Sequence, residues 1–241
     1  MNIILFDRDE DFSVLSFEDF RAKHILNILK LKQGDVFRCG IINQSEGEGT
    51  LIDVTDSFLR ILYKPVRAPE HSPVSLAVAQ VRPICMQRIL RDAASLGCEN
   101  LFLTGSDTGE KSYLNSTLYK TDLYRKFLID GAMQSGSAFV PNVVFSNSVR
   151  ELLHKTELLH LSVYTHKILM DNKTESVGLS ELKDVGRSIL AIGPERGWSD
   201  KERKLFNDSG FQTCSMGKRI LRTETACISA VTVILSKMNY M

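Results

Sequence analysis

Hydrophobic residues follow two alternating spacings from about residue 74 to the end of the chain. Short continuous apolar runs predict buried strands, whereas apolar residues that recur every three or four positions predict helices. The predicted strands cover residues 74–81, 99–103, 141–145, 158–164, 188–192 and 211–216. The predicted helices cover residues 85–96, 120–131, 200–210 and 224–238. Strands that alternate with helices are typical of a mostly parallel sheet, so the pattern predicts an α/β domain.

The first part of the chain has a different pattern, with short alternating segments and a single helical stretch. A helical apolar face occurs only at residues 20–31. The predicted strands of this small β-rich module cover residues 36–42, 50–54 and 58–63. Three prolines between residues 64 and 73 interrupt any regular element and mark a boundary. We therefore predict two domains, at residues 1–68 and 74–241.

Two glycine-bearing loops in the second domain each leave a predicted strand and lead into a helix. Loop 193–198 is followed by Ser199–Glu202, which fits a capping box that starts a helix near residue 200. Loop 217–222 is followed by Thr223, the predicted N-cap of the closing helix. Ligands of open α/β sheets bind where such loops meet the carboxyl ends of strands. The sequence has neither G-x-G-x-x-G nor G-x-x-x-x-G-K-[ST], which argues against a dinucleotide or nucleoside triphosphate, and plain tight turns are the alternative.

Composition excludes several classes of protein. The formal net charge is +1, so the overall charge points to no particular partner. The five cysteines are odd in number and form no C-x-x-C pair, which is typical of reduced thiols in the cytoplasm. The histidines have no metal-ligand spacing, and no apolar stretch approaches the ~20 residues that span a bilayer. We therefore expect neither a metal site nor a membrane partner.

Two segments at the glycine-bearing loops resemble the paired C-terminal motifs of one bacterial family. They are Ile192–Ser199, with the sequence IGPERGWS, and Met216–Ala226, with the sequence MGKRILRTETA. The family comprises the 16S rRNA uridine-N3 methyltransferases of the SPOUT superfamily. The resemblance implies an α/β fold in which a knotted (trefoil), mostly parallel sheet domain follows a small β-rich PUA-like barrel. It also implies S-adenosyl-L-methionine (AdoMet) as methyl donor, rRNA of the small subunit as substrate and a homodimer as active form.

The resemblance places the cofactor in a cage of backbone groups from the two glycine-bearing loops. Glycine lacks a Cβ, so Gly193 and Gly217 allow a close approach. A third wall is expected near Thr165, at the end of the predicted strand 158–164. The expected cofactor-binding residues are Thr165, Ile192, Gly193, Pro194, Gly197, Met216, Gly217, Ile220, Leu221 and Thr223. For the apolar members of this set, ordinary packing at strand ends is the alternative.

Methylation of uracil at N3 requires removal of a proton and stabilisation of negative charge on the carbonyl oxygens. Arg222 is the expected donor to that charge. Glu195 and Glu224 are the nearby carboxylates that could act as general base, and the sequence does not decide between them. The alternative for Arg222 and Glu224 is a surface ion pair worth under ~1 kcal/mol.

Contacts to substrate RNA are expected from both domains. The candidate residues are Arg21, Lys23, Lys30, Gln134, Lys218 and Arg219. Residues 1–64 hold 8 Lys and Arg against 11 Asp and Glu, so only the local basic cluster around residues 20–32 could bind phosphate there. A solvated helix face would explain that cluster equally well.

Three positions depart from the family pattern. Arg196 stands where the family usually has a second glycine, and residues 106–112 replace a usual Ser-x-Arg stretch. Ser137 stands where an arginine is usual. Cofactor binding is therefore the firmer expectation. A related enzyme that acts on another RNA nucleotide, or a non-catalytic ribosome-assembly factor that retains the pocket, is the alternative.

Overall fold

The computed structural model describes residues 2–8, 10–158, 163–173 and 176–241. The chain forms two compact units. Unit 1 contains Met1–Glu70 and Ala132–Val140, and unit 2 contains His71–Gly131 and Pro141–Met241. The predicted domain ranges do not include the return of residues 132–140 to the first unit. No helix in the described parts of the chain combines the length and apolar character needed to cross a membrane.

Unit 1 is built on a five-stranded sheet with the order β1-β3-β4-β5-β2. Its strands are β1 (Ile4–Phe6), β2 (Val14–Ser16), β3 (Val36–Ile41), β4 (Ser45–Val54) and β5 (Phe58–Arg67). The β1–β3 pair is parallel and the other neighbours are antiparallel. The buried face packs Phe6, Leu15, Ile25, Leu51 and Leu59 into one core.

The helix of unit 1 is shorter than predicted. A single turn, α1 (Phe20–Lys23), passes into a π-helical turn at His24–Ile28. The amide of Leu29 donates to the carbonyl of His24 at 3.0 Å, a five-residue span that widens the helix. The continuous α-helix predicted over residues 20–31 is therefore wrong.

Residues 132–140 are held within unit 1 by two polar side chains, Glu46, which is buried in the sheet, and Asn43, which lies in the turn before β4. Glu46 is 5% exposed, accepts from the amide of Ala138 at 2.8 Å and pairs with Arg67. Burial tends to raise the pKa of the Glu46 carboxyl, but the bonds from Ala138 and Arg67 outweigh it and leave that pKa lowered. The Asn43 side chain bonds both backbone groups of Val140, at 2.7 and 2.9 Å. These contacts fasten the segment at two points.

Unit 2 is built on a seven-stranded sheet with the order β10-β12-β9-β11-β6-β7-β8. Every neighbouring pair of strands in it is parallel, as predicted. The strands are β6 (Val74–Ala79), β7 (Asn100–Thr104), β8 (Asn142–Ser146), β9 (His166–Met170), β10 (Val177–Gly178), β11 (Ser188–Ile192) and β12 (Gln212–Ser215). All residues of β6 and β11 are buried, which explains their continuous apolar runs.

Helices connect these strands. They are α2 (Pro83–Ser95), α3 (Thr117–Lys120), α4 (Leu123–Ser135), α5 (Val149–Leu158), α6 (Asp200–Asp208) and α7 (Thr223–Lys237). The capping box at Ser199 is confirmed, and Gly210 beyond α6 has a left-handed φ of +81°. The N-cap of α7 is Arg222 rather than Thr223, because helical geometry already begins at Thr223, one residue earlier than a Thr223 cap requires.

One strand of unit 2 was predicted in the wrong place. The prediction covered residues 158–164, whereas α5 continues to Leu158 and strand β9 begins at His166. Residues 159–162 of that prediction lie outside the described residues. The buried run that pairs with β11 is His166–Met170, so the carboxyl end of this strand lies six residues later than predicted.

Candidate functional site

A pocket lies at one edge of the unit 2 sheet, where β9, β11 and β12 end. The three strands are adjacent and parallel, so the loops that follow them meet at the same edge. The wall residues come from segments 170–173, 192–197, 215–217 and 219–221. Thr223 and Ala226 at the start of α7 complete the lining. Both glycine-bearing loops thus contribute to one pocket.

The first glycine-bearing loop is a tight turn with a crowded interior. The amide of Gly197 donates to the carbonyl of Pro194 at 2.8 Å, and Gly197 has a φ of +70°. A Cβ on Gly193 would lie 3.2 Å from backbone atoms of Gly197 and of Trp198, closer than a side chain can comfortably sit. The hydroxyl of Thr223 donates to the carbonyl of Gly193 at 3.3 Å, which ties this loop to the start of α7.

Arg196 stands in this turn without backbone strain. A positive φ is found at Gly197 but not at Arg196, so the turn does not require glycine at position 196. The Arg196 side chain is exposed and lines the pocket. A glycine at position 196 is therefore not needed for this loop to fold.

The second glycine-bearing loop is open. Gly217 has a φ of +88°, and a Cβ built there would meet no other atom of the described chain within 4 Å. Met216, Ile220 and Leu221 place apolar side chains along the pocket, and Ile220 is 84% exposed. An isolated apolar side chain of this exposure can pack against a ligand. The backbone, not crowding, makes glycine suitable at position 217.

A buried carboxylate connects the first glycine-bearing loop to residues 106–108. Glu202 is 2% exposed and accepts from the amides of Ser199 and Asp107, each at 2.8 Å. The Ser199 hydroxyl donates to the Asp107 carboxylate at 2.8 Å, and the Thr108 hydroxyl donates to the carbonyl of Gly197 at 2.5 Å. The segment that departs from the family's Ser-x-Arg pattern is therefore fastened to the pocket loop.

An ion pair fixes the wall that follows β9. Arg203 of α6 binds the carboxylate of Asp171, whose side chain is 3% exposed, and it also binds Asp200 at 2.6 Å. Burial tends to lower the pKa of Arg203, but the bonds to Asp171 and Asp200 outweigh it and raise that pKa. Asp171 lines the pocket, so α6 positions two of its loops at once.

The expected cofactor residues lie on the pocket lining, with the exception of Thr165. Thr165 precedes β9 and lies at the amino end of that strand. It was expected at the pocket because the strand was predicted to end six residues too early. The residues from this strand and its loop that do line the pocket are Met170, Asp171, Asn172 and Lys173. The signal that could have found them is the apolar run 168–170, which ends at Asp171. Ser215 and Ala226, which also line the pocket, were not predicted.

The three expected catalytic residues have different environments. Glu195 is exposed and lines the pocket, whereas Glu224 does not line it. Glu224 lies beside Cys85, and after burial its negative charge is the next cause that raises the pKa of the Cys85 thiol. Arg222 is exposed, and no side chain in the described ranges forms an ion pair with it. The surface pair of Arg222 with Glu224 is thus not formed.

The expected RNA-contacting residues are scattered. In unit 2, Arg219 lines the pocket and Lys218 is exposed beside it. In unit 1, Lys30 and Gln134 are exposed, and Lys23 pairs with Glu18 at 3.1 Å.

Arg21 does not form a free cation for RNA. Its side chain is 11% exposed and is held by the carboxylates of Glu10 and Asp19. Its guanidinium also lies 4.8 Å from the centre of the Phe6 ring. The structure thus argues against Arg21 as a phosphate contact, because its donors already bind carboxylates within the unit.

No group of three or more His, Cys, Asp or Glu side chains within the described ranges is placed to hold a metal ion. All five cysteines are free, and four of them are buried.

Comparisons with known proteins point to one family. A family profile described as an RNA methyltransferase domain matches residues 68–235. The chain is 37% identical to the ribosomal RNA small subunit methyltransferase E of Treponema pallidum, covering 99% of this chain and 92% of that protein. It is 30% identical to ribosomal RNA small subunit methyltransferase E 1 of Borreliella burgdorferi, covering 99% of each. It is similar in fold to a Neisseria gonorrhoeae ribosomal RNA small subunit methyltransferase E bound to S-adenosyl methionine, with a TM-score of 0.77, 23% identity and 97% of each chain covered.

Proposed function

The chain belongs to the ribosomal RNA small subunit methyltransferase E family, and we propose that it transfers a methyl group from AdoMet to N3 of a uridine in 16S rRNA. It is an AdoMet-dependent rRNA methyltransferase. We assign the reaction to this pocket because both motif-bearing loops contribute to it. The resemblance inferred from those two motifs is confirmed.

The chemistry of the pocket fits AdoMet. Ile192, Met216 and Leu221 supply apolar surface for a base, and the backbone of the glycine-bearing loops supplies polar groups beside it. The space in front of Gly217 is open, so a ligand can approach its backbone closely. When bound, AdoMet supplies an electrophilic methyl group on its sulfonium sulfur.

The protein's own residues position the uracil and manage its charge. Glu195 lines the pocket and is the carboxylate that we assign to the N3 proton, whereas Glu224 faces Cys85. Arg222 is the last residue of the second glycine-bearing loop, is exposed and has no side-chain partner in the described chain, so its guanidinium is available to the carbonyl oxygens of the uracil. Fixing both reactants in one pocket lowers the barrier further.

The finer features of the architecture belong to the same proposal. We propose a trefoil knot in unit 2, which is supported by the position of β9 between β11 and β12 in the sheet order. Unit 1, a curled sheet, is proposed to be a PUA-like barrel that binds RNA, with Lys30 and Gln134 exposed for that purpose. The active form is proposed to be a homodimer in the cytoplasm, where the rRNA substrate is made.

The test of the proposed function uses small ribosomal subunits from cells that lack the gene. Incubation with the protein and AdoMet should produce one 3-methyluridine per 16S rRNA, measured by mass spectrometry of the nucleosides. Calorimetry of the protein with AdoMet in excess chelator should show one saturable site. A methylated nucleoside other than 3-methyluridine would point to the related enzyme with another target. AdoMet binding without any methylation would point to the assembly factor.

A further inference from the structure

Three cations from three different loops stand around the mouth of the pocket. They are Lys173 after β9, Arg196 in the first glycine-bearing loop and Arg219 in the second. All three are exposed. Throughout the part of the chain that the structure describes, none of them has a side-chain hydrogen bond or an ion pair. Such cations are available to an external anion.

The acidic groups of the pocket do not neutralise these cations. Asp171 is buried and bound by Arg203, so its charge is already balanced. Glu195 is then the one unpaired carboxylate on the described lining. The mouth of the pocket thus has three unpaired cations and one unpaired carboxylate among the described residues, so its local charge is positive. The formal net charge of the whole chain is only +1. A local excess of this kind attracts a polyanion to one place.

Arg196 is the best positioned of the three. Its loop is closed by the bond from Gly197 to Pro194, and the Gly197 carbonyl is held by Thr108. The backbone at position 196 is therefore fixed, while the side chain remains in solvent. A guanidinium on a fixed base binds an anion with two parallel bonds at a lower cost in entropy than a free side chain does.

We propose that Arg196 binds a backbone phosphate of the substrate RNA next to the target nucleotide, with Lys173 and Arg219 as further phosphate contacts. The proposal rests on the proposed function, because the anion is RNA only if the pocket methylates RNA. It assigns a role to the residue that departs from the family pattern. An arginine in the pocket loop then supplies a cation on the substrate side, where segment 106–112 lacks the usual one.

The AdoMet carboxylate is the other anion that could reach this loop. Exposure favours phosphate, because the Arg196 side chain lies at the solvent side of the lining while the apolar wall at Ile192 is buried. The two anions also predict different measurements. A phosphate contact changes RNA affinity and its dependence on salt, whereas a carboxylate contact changes AdoMet affinity.

The experiment measures binding of unmethylated small ribosomal subunits across a series of salt concentrations, for Arg196→Ala, Arg196→Lys and a control, Lys183→Ala. Lys183 is exposed and precedes β11, so it lies at the opposite end of the strands from the pocket. Losing one phosphate contact should reduce the slope of log K against log salt by about 0.7 to 0.9. Arg196→Lys should keep most of the slope, and Lys183→Ala should keep all of it. AdoMet affinity, measured by calorimetry on the same samples, should change by no more than a few-fold.

Two results would overturn the assignment. An unchanged slope in Arg196→Ala would show that no phosphate is bound there. A large loss of AdoMet affinity with a normal slope would assign Arg196 to the cofactor instead. A failure of the proposed function looks different: the wild-type protein would bind subunits with the expected slope but would not methylate them.

Discussion

Arg222 is the residue with the clearest division between a structural and a chemical role. Its backbone caps α7, and its side chain is exposed and makes no ion pair with Glu224. The guanidinium of Arg222 therefore makes no ion pair that would stabilise the fold. A residue of this kind on a loop beside a pocket is expected to act on the substrate.

We predict that Arg222→Ala slows single-turnover methylation by roughly 10²–10³, the usual loss when one donor to a developing charge is removed. Arg222→Lys should recover little, because a point charge does not reproduce a planar, two-pronged contact. AdoMet affinity should stay within a few-fold and the melting temperature should be unchanged. Single-turnover rates and melting curves on the same samples measure both. A normal rate with a lowered melting temperature would make Arg222 a structural residue.

A substitution at Gly217 has two effects, strain in the left-handed backbone and loss of the space that AdoMet would occupy, and a control variant can separate them. We predict that Gly217→Val abolishes AdoMet binding, because its branched side chain would occupy the open space in front of the loop. Gly34→Val is a matched control, since Gly34 also has a positive φ, +94°, and has nothing within 4 Å of its Cβ among the described residues, but it lies in unit 1. Both variants should lose about 1–2 kcal/mol of stability through the left-handed backbone. Only Gly217→Val should lose the calorimetric signal, and equal binding by both would argue against the pocket.

Helix α6 holds the site together at the scale of elements. Arg203 fixes the loop after β9, Glu202 fixes residues 106–107, and Ser199 caps the helix beside the first glycine-bearing loop. Trp198 packs edge-to-face on Phe206 with a centroid distance of 4.9 Å, which anchors the loop in the core. The pocket depends on α6 even though no residue of α6 is on its described lining.

We predict that Arg203→Ala lowers the free energy of unfolding by about 3–5 kcal/mol, because it removes the only ion-pair partner of the buried Asp171 carboxylate among the described residues. AdoMet affinity should fall in the fraction that stays folded, since Asp171 lines the pocket. Lys204→Ala is the matched control on the same helix. It breaks the exposed Lys204–Asp208 pair and should cost under about 1 kcal/mol. Urea unfolding of both variants compares the two costs. Similar losses would mean that the buried pair does not hold the wall.

At the level of the whole molecule, α7 is the candidate interface between two copies of the chain. The buried face of this helix packs Cys227, Val231 and Ile234, and the helix contacts α2, β6 and β11. Ile228 and Val233 lie on other faces and are only half-buried. Ile84, on the neighbouring α2, is 58% exposed. This apolar surface is more than the cover of a single chain requires.

We predict that the protein forms a dimer with α7 at the interface. Ile228→Asp should convert this dimer to a monomer without unfolding the chain. A buried charge in an interface is unfavourable, whereas the half-exposed position tolerates the charge in a single chain. Leu62→Asp is the control, because Leu62 is a 60% exposed apolar residue in unit 1. Light scattering at micromolar concentration gives the masses. A monomeric wild-type protein would contradict the prediction.

The features that depend on neighbouring residues could be predicted from the sequence. The apolar runs placed β6 and β11, because a strand buried on both faces is apolar at most of its positions. Ser199 and Glu202 placed the start of α6, because a capping box is satisfied within four residues. The two glycine-bearing loops placed all of the expected cofactor residues but Thr165, since each loop follows its strand directly.

The pairing of buried polar groups, in contrast, follows only from the folded chain. Glu46 meets Ala138 across 92 residues, Glu202 meets Asp107 across 95, and Arg203 meets Asp171 across 32. A buried polar group must find a partner, but hydrophobic periodicity carries no information about which distant residue supplies it. For the same reason Arg21 was predicted from the sequence to contact RNA, whereas in the fold Arg21 pairs with Glu10. Arg196, in contrast, is exposed at the pocket.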